Sequence, residues 1–178
     1  MDVGDDALAE ARRPGITAEV FKEAMGRFVS GVTVVTAVDG GRPVGTTANA
    51  VSSLSAEPPM LIICMNRTST TGAAIRASGC FAVNVLAEDQ ADLAQRFATK
   101  DPDKFQGVDA RPGLDGVPLL SGSLATLECR VVEEAVGGTH SVFLAEVATA
   151  SAREGAPLTY YRSQFGRLGL MPIDHRPR

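Results

Sequence analysis

Gly45–Thr71 reads GTTANAVSSLSAEPPMLIICMNRTSTT, and the way this stretch divides decides the fold. Thr46, Thr47, Asn49, Ser52, Ser53 and Ser55 form a first cluster of small polar side chains, stopped by Pro58-Pro59. Met60–Met65 (MLIICM) is a short, uninterrupted apolar run with the length of a buried strand. Thr68, Ser69, Thr70 and Thr71 form a second hydroxyl cluster, just ahead of a short helix over Thr71–Ser78 that Gly79 ends. This pattern is two polar loops flanking one buried strand. Such loops can turn hydroxyls and free backbone N–H groups toward one ligand rich in oxygen or phosphate, since both groups donate to phosphate oxygens. The same composition also fits plain strand ends and turns.

Working outward, Val32–Val38 (VTVVTAV) is dense in β-branched residues and reads as a strand. Asp39-Gly40-Gly41 is a hairpin turn, from which Pro43 starts the return. Upstream, Thr17 caps a helix whose Val20, Phe21, Ala24, Met25 and Phe28 share one apolar face. That face is expected to pack on the sheet, with Gly31 ending the helix. Downstream, Cys80–Leu86 is a buried strand with one polar residue, Asn84, and Glu88–Ala98 is helical with Leu93, Ala94 and Phe97 on one face. Thr99–Gly122 is loop-rich and long enough to serve a function or cover an interface. Leu124–Val136 and Thr139–Ala150 are long strands joined at Gly137-Gly138, and Leu158–Tyr161 and Phe165–Leu170 add short ones. Six or seven strands, mostly joined as hairpins, and three helices without a βαβ rhythm point to an antiparallel barrel with helices outside it. Residues 1–16 read as a polar arm, 17–170 as the domain and 171–178 as a tail.

Composition narrows the function. The 178 residues suit one domain with a sizeable core, and 44% hydrophobic with 21% charged residues is ordinary for a soluble protein. A formal net charge of −4 argues against nucleic acid or anionic membrane as the main partner. No run reaches the ~18 apolar residues of a membrane span, and the N-terminus is acidic rather than signal-like, so a cytoplasmic protein is expected. Cys64, Cys80 and Cys129 each sit in apolar runs and read as free thiols. With no Cys-x-x-Cys and only His140 and His175, a His-rich metal site is excluded. The chain also lacks a Gly-x-Gly fingerprint, a Gly-Lys-Ser/Thr loop and a G-x-S-x-G elbow.

The opening stretch resembles the signature of the short flavin reductases, the small components of two-component flavin-dependent monooxygenases. The matching residues are Gly45-Thr46-Thr47-Ala48, Ser53, Ser55, Pro58-Pro59, LIICM and Ser69. Val83-Asn84-Val85-Leu86, Lys104-Phe105, a Pro118-Leu119-Leu120 turn and a Leu127-Glu128-Cys129 strand follow the same running pattern, so the resemblance spans roughly Val20 to Leu168. Two departures stand out. Gly138-Thr139-His140 has Thr where the family often has Asp, and Phe165-Gly166 replaces a common Tyr-His pair.

The resemblance implies a split β-barrel, a homodimer, and an NAD(P)H:flavin oxidoreductase that supplies free reduced FAD or FMN to a partner monooxygenase. NADH is favoured over NADPH. It implies hydride transfer from nicotinamide C4 to flavin N5, with the cofactors carrying the reaction and the protein positioning them. Thr47, Ala48 and Asn49 would line the isoalloxazine edge, continued by Ser53, Leu54 and Ser55. Ser69 and Thr70, helped by Arg67, would hold the flavin phosphate. Asn84 would contact ribityl or phosphate, His140 would meet the nicotinamide carboxamide as the catalytic residue, and Tyr161 or Phe165 would border the nicotinamide. Two alternatives stay open: a split barrel with tightly bound flavin acting as oxidase or electron carrier, and a non-catalytic flavin-binding module.

Overall fold

A computed structural model describes residues 15–170. The expected arm and tail lie outside that range, apart from Gly15 and Ile16. The main sheet is antiparallel and seven-stranded, in the order β3-β2-β6-β9-β10-β5-β4. Its strands are β2 (Thr33–Asp39), β3 (Arg42–Ala48), β4 (Val51–Ala56), β5 (Pro59–Asn66), β6 (Cys80–Val85), β9 (Ala125–Gly137) and β10 (His140–Ala152). A small sheet joins β1 (Ser30–Gly31), β11 (Leu158–Tyr161) and β12 (Gln164–Arg167), and β7 (Ala110–Pro112) pairs with β8 (Pro118–Leu120). The helices are α1 (Ala18–Met25), α2 (Thr70–Ser78) and α3 (Ala91–Ala98).

One connection shows that the sheet is curled. β3 lies at one edge and β4 at the other, yet only Asn49-Ala50 joins them. Three Cα steps reach about 11 Å at most, so the two edges stand side by side. The Ala50 carbonyl accepts from Cys64 N–H at 3.0 Å, which seats this link on β5. The edges also meet out of step. Ala48 traces through β2 and β6 to Ala125, whereas Val51 traces through β5 and β10 to Glu134, a stagger of roughly nine residues. A closed or split barrel of tilted strands requires a shear of this kind.

The interior follows from the sequence pattern. β5 alternates, burying Leu61, Ile63 and Met65. These meet Val35, Phe81, Val83, Phe143 and Ala145 inside the barrel, where Ala74 and Ile75 of α2 join the same core. β2 is buried over five consecutive residues, Thr33–Ala37, because both its faces are covered. Val34 faces a second core with Leu86, Phe97, Leu120 and Leu158, formed under α3, β8 and β11. The Gly40-Gly41 turn has positive φ at both residues (54° and 85°), which is why glycine suits this tight hairpin.

The structure corrects four expectations. The Ser52–Ser55 cluster is not a loop but the edge strand β4, held by pairing with β5 and carrying a bulge between Ser53 and Ser55. The long hairpin turns at Gly138-Thr139, one residue later than expected. Pro118-Leu119-Leu120 is the fully buried strand β8 rather than a turn. The apolar face of α1 does not pack on the sheet. The helix has no buried residue, and Val20, Phe21, Met25 and Phe28 are all more than half exposed. Periodicity identifies an amphipathic helix but does not say what covers it.

Candidate active site

A cleft of about 420 Å3 opens where β3 leaves the barrel edge. Thr47, Ala48 and Asn49 form one wall, Val32 the floor, Gln95 and Ala98 of α3 another side, and Tyr160, Ser163 and Phe165 the last. The Thr47 hydroxyl is spent inward, donating to the Ala94 carbonyl at 2.6 Å, which ties β3 to α3. Gly45 permits that packing: a Cβ there would stand 3.0 Å from the Phe97 ring and 3.2 Å from the Val35 carbonyl. The rings of Tyr160 and Phe165 lie 5.7 Å apart and tilted by 58°, giving the cleft an aromatic side. Arg162 and Ser163 form the turn between β11 and β12, and both are left-handed (φ 49° and 63°). Backbone of that kind in non-glycine residues is strained, and here it sets Ser163 at the cleft mouth.

A second group of predicted residues gathers at the turn from β5 into α2. Asn66 Oδ1 accepts from the Thr68 N–H (2.9 Å) and hydroxyl (2.8 Å), which shapes the turn. Ser69 caps α2, its Oγ accepting from Gly72 N–H at 3.2 Å and leaving its own proton free to donate. The N–H groups of Thr70 and Thr71 have no acceptor among the described residues. The Thr71 hydroxyl beside them is buried without a partner. His140 lies against the same turn: it pairs with Asn66, and Arg67 N–H donates to the Thr139 carbonyl at 3.0 Å. Thr139 Oγ1 is 2.9 Å from His140 Nδ1. Behind it, Arg76 of α2 clasps Glu134 with Nε (2.9 Å to Oε2) and Nη2 (2.5 Å to Oε1). Arg76 first, then the Ser141 hydroxyl, pulls the Glu134 carboxyl down to about 2, and Arg67 contributes from farther away. Since Ala50 bonds to Cys64, two residues before Asn66, the cleft wall and this turn belong to one end of the barrel.

The structure therefore gathers Thr47, Ala48, Asn49 and Phe165 in one cleft and Arg67, Ser69, Thr70 and His140 at the neighbouring turn. His140 is not a lining residue of the cleft. Ser53 and Leu54 lie exposed on β4, and the Ser55 hydroxyl accepts from Glu57 N–H at 3.1 Å. None of the three lines the cleft. Tyr161 points away, and its neighbour Tyr160 takes the place foreseen for it, because alternate strand residues face opposite sides. Asn84 corrects the expectation of a ligand contact. It is fully buried, its Nδ2 donates to Val34 O (3.0 Å) and Thr36 Oγ1 (3.2 Å), and its Oδ1 accepts from Leu120 N–H (2.8 Å). The amide is spent joining β6, β2 and β8. Sequence reasoning missed Val32, Gln95, Ala98, Tyr160 and Ser163. Gln95 carried the one available signal, a polar residue on the outward side of α3.

The site thus consists of an antiparallel barrel whose cleft carries two aromatic rings, Tyr160 and Phe165, beside a helix start with unfilled N–H donors. The family described as "Flavin reductase like domain" matches residues 25–169, and the chain belongs to it. It is 49% identical over 146 residues to the reductase component of 4-nitrophenol 4-monooxygenase/4-nitrocatechol 2-monooxygenase from Rhodococcus opacus, covering 82% of this chain and 78% of that one. It is 42% identical over 163 residues to HsaB, a flavin-dependent monooxygenase reductase subunit from Rhodococcus jostii, covering 91% and 82%. Among solved structures, the NADH:FAD oxidoreductase SgcE6 of Streptomyces globisporus, in complex with NAD and FAD fragments, superposes with a TM-score of 0.81. It is 35% identical, with 89% of this chain and 98% of that one covered.

Proposed function

We propose that the protein is a flavin reductase that oxidises NADH, reduces FMN or FAD in the Thr47–Phe165 cleft, and releases the reduced flavin to a separate flavin-dependent monooxygenase. The observation that carries this is the pairing, at one end of the barrel, of a cleft flanked by the Tyr160 and Phe165 rings with unfilled N–H donors at the start of α2. A flavin needs both: a slot for its ring and a cradle for its phosphate.

The two cofactors supply the hydride chemistry when bound. The chain binds and aligns them. The backbone of Thr47–Asn49 borders the ring edge, where N–H donors favour negative charge on a reduced ring. The free N–H groups of Thr70 and Thr71, the Ser69 hydroxyl and Arg67 hold the phosphate, with the helix start adding its positive end. Tyr160 and Phe165 cover the ring and exclude water. His140 stands at the turn to hold the nicotinamide amide.

The protein is further proposed to act as a homodimer through α1. The Gly26 carbonyl after that helix accepts from Arg162 N–H at 3.1 Å, and Ser163 lines the cleft. A second copy on α1 would therefore border the site.

The deciding measurement is NADH oxidation under air by the purified protein, with FMN, FAD or riboflavin added in turn. Turnover that saturates with added flavin is expected. In His140→Ala the KM for NADH should rise at least about tenfold while the KM for flavin stays unchanged. Protein that remains yellow on gel filtration and does not oxidise NADH would overturn the reading.

A further inference from the structure

A second cavity lies at the far end of the β2–β3 hairpin. It measures about 490 Å3 and shares no lining residue with the first cleft. Val38 lines this cavity and Val32 lines the other, so the two sit roughly 20 Å apart along β2. The volume falls within the usual range for small-molecule sites, about 300–1,000 Å3.

Its walls are Val38, Pro43, Phe105, Val108 and Pro118, all apolar. Two charged residues border it, Arg111 and Asp115. Asp115 is already committed: its Oδ2 accepts from the Cys80 thiol at 3.1 Å and pairs with Arg130 Nη1 at 3.0 Å. Arg111 is exposed and has no carboxylate within ion-pairing distance among the described residues. The cavity thus offers apolar walls that include the Phe105 ring and two prolines, and one uncommitted guanidinium.

The walls are also held in place. The Thr36 hydroxyl donates to the Pro118 carbonyl at 2.5 Å, and Gly113 N–H donates to Val117 at 2.8 Å. Asp115 keeps a left-handed backbone (φ 50°) that its contacts with Cys80 and Arg130 stabilise. Lys104 Nζ donates to the Thr99 carbonyl at 2.6 Å and to Gly45 at 3.2 Å, pinning the Phe105 segment to β3. The Phe97 and Phe105 rings meet in a T-shaped pair, with centroids 4.8 Å apart. A wall fixed before binding loses little freedom on binding.

We propose that this cavity binds a small planar organic anion, an aromatic carboxylate or phenolate, with its ring among Pro43, Phe105 and Pro118 and its anionic oxygens on Arg111. The planar guanidinium fork matches a carboxylate in a way that a surface lysine does not. The proposal does not depend on what the Thr47–Phe165 cleft holds.

The test uses the full chain and 2-naphthoate, titrated by calorimetry. One saturable site is expected. Arg111→Ala should weaken binding about tenfold or more by removing a charge-assisted contact. Val108→Trp, which fills the cavity, should abolish it. Circular dichroism and the flavin-dependent NADH oxidation rate report that both variants remain folded. In wild type, uncharged 2-naphthalenemethanol should bind at least about tenfold more weakly than the carboxylate, and Arg111→Ala should leave its binding unchanged. The proposal is overturned by the absence of saturable binding, by equal binding in wild type and both variants, or by displacement of 2-naphthoate on adding FMN, which would put the ligand in the other cleft.

Discussion

Asn84 shows how one residue can be conspicuous in the sequence and still be misread. A lone amide in an apolar strand must find partners, and likeness to the flavin reductases pointed outward to a ligand. The structure points inward, to Val34, Thr36 and Leu120. Asn84→Ala should then act on stability. It leaves the buried Leu120 N–H without an acceptor, at a cost of about 1–3 kcal/mol. Thermal unfolding should shift downward while flavin affinity, measured well below the transition, stays at the wild-type value. Loss of flavin affinity at an unchanged melting temperature would return Asn84 to the site. Thr47, Ala48 and Asn49 lie in one local motif, and Phe165 was one of the two residues, with Tyr161, that the resemblance offered, so the sequence could point to them. Tyr160 was not, because a one-residue difference in a short strand reverses the face. Neither were Gln95 and Ala98, which reach the cleft only through the packing of α3 on β3.

At the scale of elements, α2 and the β9–β10 hairpin are joined by Arg76 and Glu134. The Glu134 carboxyl is held down to about 2, first by the Arg76 guanidinium, against an ordinary value of 4.5. A carboxylate lowered in the folded state stabilises the fold above the unfolded pKa and loses that contribution as pH falls through the folded one. The window is therefore about pH 4.5 down to about 2. Over it, Glu134→Gln should show a shallower decline in unfolding free energy than wild type, read from urea titrations at several pH values. Parallel declines would remove the pair from the acid response. The strands β2, β5, β6, β9 and β10 were all legible, since each carries a β-branched or apolar run. β4 was not. VSSLSA has little strand propensity of its own and is a strand because β5 supplies its ladder. The hydroxyl-rich composition that suggested a loop reflects an edge strand exposed at Ser52, Ser53 and Leu54.

At the scale of the whole molecule, curling of the sheet follows from a two-residue link between its edges, a constraint that appears only once the strand order is known. The sequence shows that α1 is amphipathic, and in the structure none of the described residues covers its apolar face. Val20, Phe21, Met25, Phe28 and Val29 are all more than half exposed on one short segment. An exposed apolar patch of this kind marks an interaction site, and a second copy is the occupant proposed for it. Across a two-fold axis each residue is counted twice, so one substitution removes two contacts. Fully burying a Phe side chain is worth about 1.5–3 kcal/mol, and placing Glu there adds the cost of desolvating a charge. Phe21→Glu with Phe28→Glu should then raise the dimer Kd by at least about 100-fold, which sedimentation velocity at micromolar protein reads as a shift to monomer. Because α1 abuts the Arg162-Ser163 turn at the cleft mouth, the KM for flavin should rise in the same variant. A wild-type protein already monomeric at those concentrations, or a double variant that stays dimeric, would remove α1 from the interface and leave its apolar face to a partner of another kind.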